Sequence, residues 1–124
     1  MRMQTSLPAS LPNSLPAGFE ALEPFVDYWA GATNDIRWDR RARASMAEIR
    51  SFYEAAVPRA DEGLAYLEQF PLAAMPDDAT RLLRLLLSLP HAAMAVEFHG
   101  QPRAAASPFP HGMHIGRGPW PQGW

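Results

Sequence analysis

Apolar residues recur at steps of three and four over residues 34–57, the spacing that places them on one face of an α-helix. Thr33 or Asn34 can cap the start of this helix, and Pro58 ends it. The pattern therefore predicts a long amphipathic helix. Its apolar stripe consists of Trp38, Ala42, Met46, Ile49, Tyr53 and Ala56.

The same stretch also contains a signal for a second helix start. Ser45 and Glu48 have the spacing of a capping box, in which each side chain accepts a hydrogen bond from the other residue's backbone N–H. The alternative to one long helix is therefore a break, after which a new helix begins at Met46.

Four shorter helices are predicted to flank this one. Their ranges are 19–30, 59–70, 78–89 and 91–99. Pro90 either kinks helix 78–89 or begins the last helix. Helix 78–89 is apolar around most of its circumference, so it is expected to be the central helix or to supply a dimer face. The inward residues of helix 59–70 are expected to be Leu64, Leu67 and Phe70.

Together these elements predict an all-α fold, a small bundle of four to five helices over residues 18–100 with no β-sheet. Two irregular Pro-rich arms flank it, over residues 1–17 and 101–124. The first arm repeats Ser-Leu-Pro every four residues between positions 6 and 16, which favours an extended polyproline conformation. We expect this arm to be disordered or draped on a partner. The alternative is a proline-motif ligand for a partner domain.

Composition narrows the possible chemistry. The chain has no cysteine, and all 11 of its basic residues are arginine. These absences exclude disulfides, cysteine nucleophiles, Schiff-base catalysis and pyridoxal phosphate anchoring. No glycine-rich phosphate loop or dinucleotide fingerprint occurs, so no cofactor is predicted. The net charge of −2 does not indicate a nucleic acid or an anionic membrane as a partner.

The N-terminal sequence favours a cytoplasmic location. Leu7, Leu11 and Leu15 are each followed by proline, so no continuous apolar core of a signal peptide forms. The absence of cysteine is typical of a reducing compartment. A domain of about 80 ordered residues without disulfides or metal is close to the lower limit of stability, so we expect a homodimer.

One cluster of residues in the predicted helix 34–57 is suited to binding an anion. Arg37, Arg40, Arg41 and Arg43 place four guanidiniums along about two turns. Arg37, Arg41 and the inward Trp38 are expected to lie close together on the helix surface, an arrangement suited to holding a carboxylate or phenolate beside an aromatic ring. The alternative is a solvated charged face with surface ion pairs such as Asp39 with Arg43. As a set, these arginines are the best candidate anion site in the chain.

The histidines are weaker candidates. His99 precedes a glycine at a predicted helix end, where the helix dipole stabilises an imidazolium, so either a structural or a catalytic role fits. Glu97 and His99 are two residues apart and do not face each other on a helix, which argues against a simple acid–base pair. His111 and His114 have a spacing seen in metal sites, but no acidic residue is near them, and no metal site is predicted.

Several short strings resemble a known group of proteins. They are Trp29-Ala30, Thr33, Arg37, Arg41, Ser45-Met46-Ala47-Glu48-Ile49, Phe52-Tyr53, Val96-Glu97-Phe98 and Gly100-Gln101-Pro102-Arg103. Over residues 19–103 the chain resembles small proteins of bacterial pathways for lignin-derived aromatic dimers, found near stilbene-cleaving dioxygenases. Some members of such pathways are γ-formaldehyde lyases. These enzymes expel a hydroxymethyl group from a phenylcoumaran or diarylpropane to leave a stilbene, without a cofactor.

The resemblance implies a base for the γ-hydroxyl, groups that bind anionic and phenolic oxygens, and an apolar slot for two aromatic rings. The candidate catalytic residues are Asp27, Glu97, His99 and Tyr53. The candidate substrate-binding residues are Tyr28, Trp29, Arg37, Trp38, Arg41, Phe98 and Arg103. The expected pocket has Trp29, Trp38, Tyr53 and Phe98 as walls and residues 109–124 as a lid, with Arg37 or Arg41 contacting the ligand anion.

Two functions from different classes remain open. The first is a cofactor-independent lyase that acts on a lignin-derived aromatic dimer. The second is a non-catalytic helical interaction module or an accessory subunit of an aromatic-catabolism enzyme. The enzyme hypothesis expects ionisable residues around a pocket for two rings, whereas the module hypothesis expects a filled core and an exposed apolar groove. The resemblance favours the enzyme.

Overall fold

The computed structural model describes residues 13–102. Within that range the chain is all-α and has no strand, which confirms the predicted fold class. Its α-helices are α1 (Val26–Trp29), α2 (Asn34–Arg43), α3 (Met46–Ala56), α4 (Ala60–Leu67) and α5 (Asp77–Ala93). Short 3₁₀ turns cover Glu20–Phe25, Val57–Arg59 and Leu72–Ala74, and a π-helical segment covers Met94–His99.

The predicted helix 34–57 is in fact two helices. Ala44 is extended, with φ −79° and ψ 154°, and separates α2 from α3. The Ser45 hydroxyl accepts a hydrogen bond from the Glu48 N–H at 3.1 Å, and the Glu48 carboxylate accepts one from the Ser45 N–H at 2.8 Å. The prediction of one continuous helix is wrong and the capping-box alternative is correct, because these bonds satisfy N–H groups that the break would otherwise expose.

The predicted helix 19–30 is mostly a 3₁₀ turn. Pro24 lies within that turn and cannot donate a backbone hydrogen bond, so only the last turn of the segment, α1, is α-helical. The apolar side of the segment is nevertheless buried. Leu22, Val26 and Trp29 all belong to the core.

Helix α4 is shorter than the predicted helix 59–70, and one of the residues that face the core is not the one predicted. Leu67 is buried, but the side chain of Leu64 is 52% exposed, so the prediction that Leu64 faces inward is wrong. Gly63 takes the inward position instead. A Cβ at Gly63 would lie 2.9 Å from Cδ1 of Leu86, which shows how closely α4 approaches α5.

Helix α5 continues through Pro90, and the separate helix predicted over residues 91–99 does not form. Pro90 itself is exposed, while Ala92 and Ala95 beyond it are fully buried and hold the following turns against the core. After Ala93 the helix continues with wider turns, as the π-helical segment. Gly100 ends that segment in a left-handed conformation, with φ 65°, and its N–H donates to the Ala95 carbonyl at 2.7 Å.

Helix α5 is the central helix, the first of the two roles expected for it. It packs against α1, α2, α3 and α4. Leu82, Leu85 and Leu86 are buried in these contacts, and the other leucines of the helix are half-buried. Within the part of the chain that the structure describes, no helix is long and apolar enough to cross a membrane.

The end of the N-terminal arm packs on the bundle. Leu15, from the last Ser-Leu-Pro repeat, is buried in the core. Its N–H donates to the Glu23 carboxylate at 3.0 Å, and the Arg81 side chain donates from Nε to the Ser14 carbonyl at 2.7 Å. The packed unit therefore begins before residue 18.

Candidate functional site

An apolar groove of about 320 Å³ lies between α3, α4 and α5. Its floor comes from α5 and its rim from the 3₁₀ turn after α3 and from α4, where Val57 and Leu64 are 44% and 52% exposed. A volume of this size is at the lower end of the range for small-molecule sites. The lining residues are Tyr53, Val57, Ala60, Leu64, Leu86, Leu89, Pro90, Ala93 and Glu97.

The polar groups of this groove are the phenol of Tyr53 and the carboxylate of Glu97. The Tyr53 hydroxyl donates a hydrogen bond to Glu97 Oε2. Because the carboxylate accepts this bond from the protonated phenol, it raises the pKa of Tyr53, with smaller contributions from burial and from the negative charge of Glu97. The pair therefore combines a protonated donor with a carboxylate acceptor beside an apolar surface.

The structure brings together two of the four predicted catalytic residues. Glu97 of the π-helical segment is hydrogen-bonded to Tyr53 of α3. The helix spacing had argued only against a pair between Glu97 and His99. His99 is half-buried at the end of the π-helical segment and does not line the groove. Asp27 lies on the exposed side of α1, where its carbonyl accepts a hydrogen bond from Arg40 at 3.2 Å.

Tyr28 and Trp29 line a different pocket, of about 390 Å³, together with residues of α3. The Tyr28 hydroxyl donates to the Arg40 carbonyl at 2.6 Å, so it ties α1 to α2. Trp29 is buried, with its ring stacked on Phe52 at a centroid distance of 4.7 Å. These contacts give Tyr28 and Trp29 clear structural roles.

Within the part of the chain that the structure describes, the four expected aromatic walls do not share either of these two pockets. Trp29 and Tyr53 line separate pockets, and Phe98 is 73% exposed and lines neither of them. Trp38 is half-buried on α2 beneath the guanidinium of Arg41. The resemblance, and not helix spacing, grouped these residues, and the break at Ala44 separates Trp38 on α2 from Tyr53 on α3.

Arg37 and Arg41 are buried, with 1% and 5% of their surface exposed. Arg37 Nη1 donates to the Gly31 carbonyl at 2.8 Å, and the Arg41 guanidinium lies 5.4 Å from the centre of the Trp38 ring. Burial lowers the pKa of both guanidiniums, and the positive charge of Arg84 lowers that of Arg37 further. The expectation that these arginines lie on the helix surface is wrong, because this face of α2 packs against α5.

The arginines and the groove lie on opposite sides of α5. Residues of an α-helix are rotated by about 100° each, so Ser88 and His91 point roughly 140° to 200° away from Leu86. Leu86 and Ala93 line the groove, whereas Ser88 donates to a carbonyl of α1 and His91 Nε2 lies 3.2 Å from the Asn34 side-chain oxygen on α2. One small substrate therefore cannot contact the Tyr53–Glu97 pair and these arginines together.

His91 is the ionisable residue whose environment sequence analysis missed. Burial and the nearby charges of Arg41 and Arg37 lower its pKa from 6.5 to about 4, so it is neutral at pH 7. The Asn34 oxygen can only accept, so His91 Nε2 carries the proton. One signal in the sequence could have indicated this environment, since Arg84, Ser88 and His91 are spaced by four and three residues on one face of an otherwise leucine-rich helix.

Several predicted residues lie outside the described residues. They are Arg103, His111, His114 and the proposed lid of residues 109–124. Within residues 13–102, no group of three or more histidine or acidic residues could hold a metal ion.

Comparison with known proteins adds no relative. No family model, curated protein or solved structure matches the chain. The functional proposal therefore depends on the geometry of the site and on the resemblance noted in the sequence.

Proposed function

We propose that the chain is a cofactor-independent carbon–carbon lyase that acts on a lignin-derived aromatic dimer, releasing formaldehyde and leaving a stilbene. The observation that carries this proposal is the Tyr53–Glu97 hydrogen bond at the edge of the apolar groove. A proton donor beside a proton acceptor is what such an elimination needs. The apolar lining suits an aromatic ring.

The first step in the proposed reaction is loss of the oxygen substituent at Cα of the substrate. The phenolate of the substrate supplies the electrons, the Cα–O bond breaks, and a quinone methide forms. Tyr53 donates its proton to the departing oxygen. The phenol of Tyr53 is protonated at neutral pH, because its ordinary pKa is about 10 and the Glu97 carboxylate raises it, so its proton is available for this step.

The second step releases formaldehyde. The carboxylate of Glu97 accepts the proton of the γ-hydroxyl, the Cβ–Cγ bond breaks, and its electron pair forms the Cα=Cβ double bond while the quinone methide returns to a phenolate. Tyr53 has then lost one proton and Glu97 has gained one. Their hydrogen bond allows that proton to return, which restores both groups for another turnover.

The groove accommodates one aromatic ring against Leu86 and Leu89 of α5. The second ring extends past Glu97 towards Phe98, whose exposed side chain offers an apolar surface. A ring that covers Leu86 and Leu89 excludes water from that side of a quinone methide, which protects it from hydration.

Incubation of the purified protein with phenylcoumaran and diarylpropane dimers tests the proposal. Stilbene absorbance and formaldehyde should rise together, in equal amounts. Tyr53→Phe and Glu97→Gln should each lower kcat by about a hundredfold or more, the range for loss of a general acid or base. The matched control is Tyr66→Phe, because Tyr66 packs against Phe19 and Phe70 away from the groove. Absence of stilbene with both substrate classes would rule the lyase out.

A second candidate function is a helical interaction module, an accessory subunit of an aromatic-catabolism enzyme. The open rim of the groove favours it, because Val57 and Leu64 expose apolar surface of the kind that an amphipathic helix covers. Mixing the full chain with a stilbene-cleaving dioxygenase and following sedimentation distinguishes the two. A stable complex that Leu64→Arg disrupts, without stilbene formation by the chain alone, supports the module.

A further inference from the structure

The aromatic pocket, defined by Phe25, Tyr28, Trp29, Glu48 and Ser51, lies where the segment around α1 meets the first turns of α3. Its volume of about 390 Å³ is within the range for small-molecule sites. Trp29 is buried, Phe25 and Tyr28 are half-buried, and Glu48 and Ser51 are exposed. The aromatic side chains therefore lie deeper in the pocket than its polar groups.

The polar groups of the aromatic pocket favour a cation over an anion. Among the described residues that line it, none is basic and one, Glu48, is acidic. The Tyr28 hydroxyl already donates its proton to the Arg40 carbonyl at 2.6 Å, so this proton is not available to a ligand. Glu48 uses Oε1 to accept from the Ser45 N–H at 2.8 Å, which leaves Oε2 of the carboxylate for a ligand.

The charges around the Tyr28 hydroxyl combine to a negative potential. Burial raises the pKa of this phenol most, and the charged neighbours come next. Glu48 raises the pKa more than Arg40 lowers it, and Asp39 raises it more than Arg43 lowers it. The carboxylates therefore outweigh the guanidiniums at this point, which opposes a negative charge and favours a positive one.

The ring of Tyr28 already attracts one cation of the protein. The Arg40 guanidinium lies 5.1 Å from the centre of this ring. Its Nη1 donates to the carbonyls of Asp27 at 3.2 Å and Tyr28 at 2.6 Å. These bonds hold the guanidinium beside Tyr28, and Arg40 does not line the aromatic pocket. Its positive charge opposes a second cation, and the carboxylate of Glu48 offsets that effect.

We propose that the aromatic pocket binds a small organic cation that carries a quaternary ammonium group. Aromatic rings attract such a cation through their electron-rich faces and need no hydrogen bond from it. A primary ammonium has three N–H donors that lose water on binding, whereas a quaternary ammonium has none. Pro24 and Ala47, the remaining lining residues, offer apolar contacts to its methyl groups. The carboxylate of Glu48 supplies the compensating charge.

This site is separate from the groove and does not depend on the proposed lyase activity. The aromatic pocket and the groove share no lining residue. A cation in the pocket can therefore accompany a substrate in the groove. Cation binding and the lyase can fail independently in experiments.

Titration of the full chain with choline, followed by nuclear magnetic resonance, tests this inference. The neutral analogue is 3,3-dimethylbutan-1-ol, which has the same shape as choline with carbon in place of the charged nitrogen. Ethanolamine is the primary ammonium analogue. Choline should bind more tightly than either analogue by about fivefold or more, the range expected for a cation against aromatic rings.

Two substitutions separate the charge from the rings. Glu48→Gln removes the charge but keeps an acceptor for the Ser45 N–H, so the capping box persists, and it should weaken choline binding by about threefold or more. Phe25→Leu removes one ring and keeps the pocket apolar, and it should weaken binding to a similar extent. Glu54→Gln, an exposed change on α3 outside the pocket, is the control and should leave choline affinity unchanged.

Three results would overturn the inference: no choline binding, equal binding of choline and either analogue, or unchanged choline affinity in a folded Glu48→Gln variant. Circular dichroism verifies the fold of each variant. If Glu48→Gln does not fold, Phe25→Leu provides the test. Unchanged choline affinity in a folded Phe25→Leu variant would likewise count against the site.

Discussion

The hydrogen bond between Tyr53 and Glu97 should be measurable through the titration of the phenol. The carboxylate raises the Tyr53 pKa above 10 because it accepts a bond that only the protonated phenol can donate. Glu97→Gln should therefore lower the Tyr53 pKa towards its ordinary value. Nuclear magnetic resonance of tyrosine labelled at Cζ reports this titration directly. Glu54→Gln, an exposed change on α3 next to Tyr53, is the control and should leave the titration unchanged.

His91 should make the stability of the protein depend on pH. Its pKa is about 4 in the folded chain and near 6.5 in the unfolded chain, so the unfolded chain binds the extra proton first as pH falls. The stabilisation is present above pH 6.5 and is lost as pH falls from 6.5 to 4. A shift of this size corresponds to at most about 3 kcal/mol of unfolding free energy.

Urea unfolding at pH 7, 5.5 and 4.5 checks this dependence. His91→Asn should lose less unfolding free energy than the natural chain across this interval, because it has no imidazole to protonate. His99→Gln is the matched control, since His99 is a half-buried histidine outside the cluster around Arg37 and Arg41. Identical pH dependence in His91→Asn and the natural chain would contradict the prediction.

The candidate site residues could be selected from the sequence by their type, but the contacts between them could not be predicted from it. Tyr53 and Glu97 were both candidates, yet they are 44 positions apart and meet only because the π-helical segment follows α5 back towards α3. Arg37 and Arg41 were also candidates, and their burial was unforeseen. Charged residues normally stay in water, and only packing against α5 places this face of α2 inside.

At the scale of an element, the capping box should stabilise the start of α3. Ser45→Ala removes the hydroxyl that accepts from the Glu48 N–H, and it should lower the unfolding free energy by about 1 kcal/mol. Urea unfolding measures the change. Ser51→Ala, at an exposed position inside the same helix, should change it by less than about 0.5 kcal/mol. Equal effects from the two substitutions would show that the cap contributes nothing.

The helix boundaries differ in how far local sequence determines them. The break before α3 follows from Ser45 and Glu48, which are near neighbours and act on each other's backbone. The passage of α5 through Pro90 does not follow from local sequence, because proline normally ends a helix. Here the burial of Ala92 and Ala95 against the rest of the bundle outweighs that local preference. Helix boundaries that depend on residues within one turn could thus be predicted from the sequence, whereas boundaries that depend on packing could not.

At the scale of the whole molecule, the homodimer expected from the small size of the domain remains a prediction. The structure indicates a different surface for the dimer contact from the one expected on α5. The leucines of α5 are buried or half-buried within the bundle, so they do not supply a large exposed face. The exposed apolar side chains at the rim of the groove, Val57 and Leu64, are the better candidates for contact with a second copy.

A contact through this rim predicts the result of one substitution. In a two-fold dimer each rim packs against its counterpart, so Leu64→Arg places two like charges in one apolar contact and should convert the dimer to a monomer. Leu72→Arg is the control, because Leu72 is also partly exposed but lies on the turn before α5 and does not line the groove. Sedimentation equilibrium at micromolar concentration should show a dimer for the natural chain and for Leu72→Arg. A monomeric natural chain would contradict the dimer, and a dimer that persists in Leu64→Arg would place the contact elsewhere.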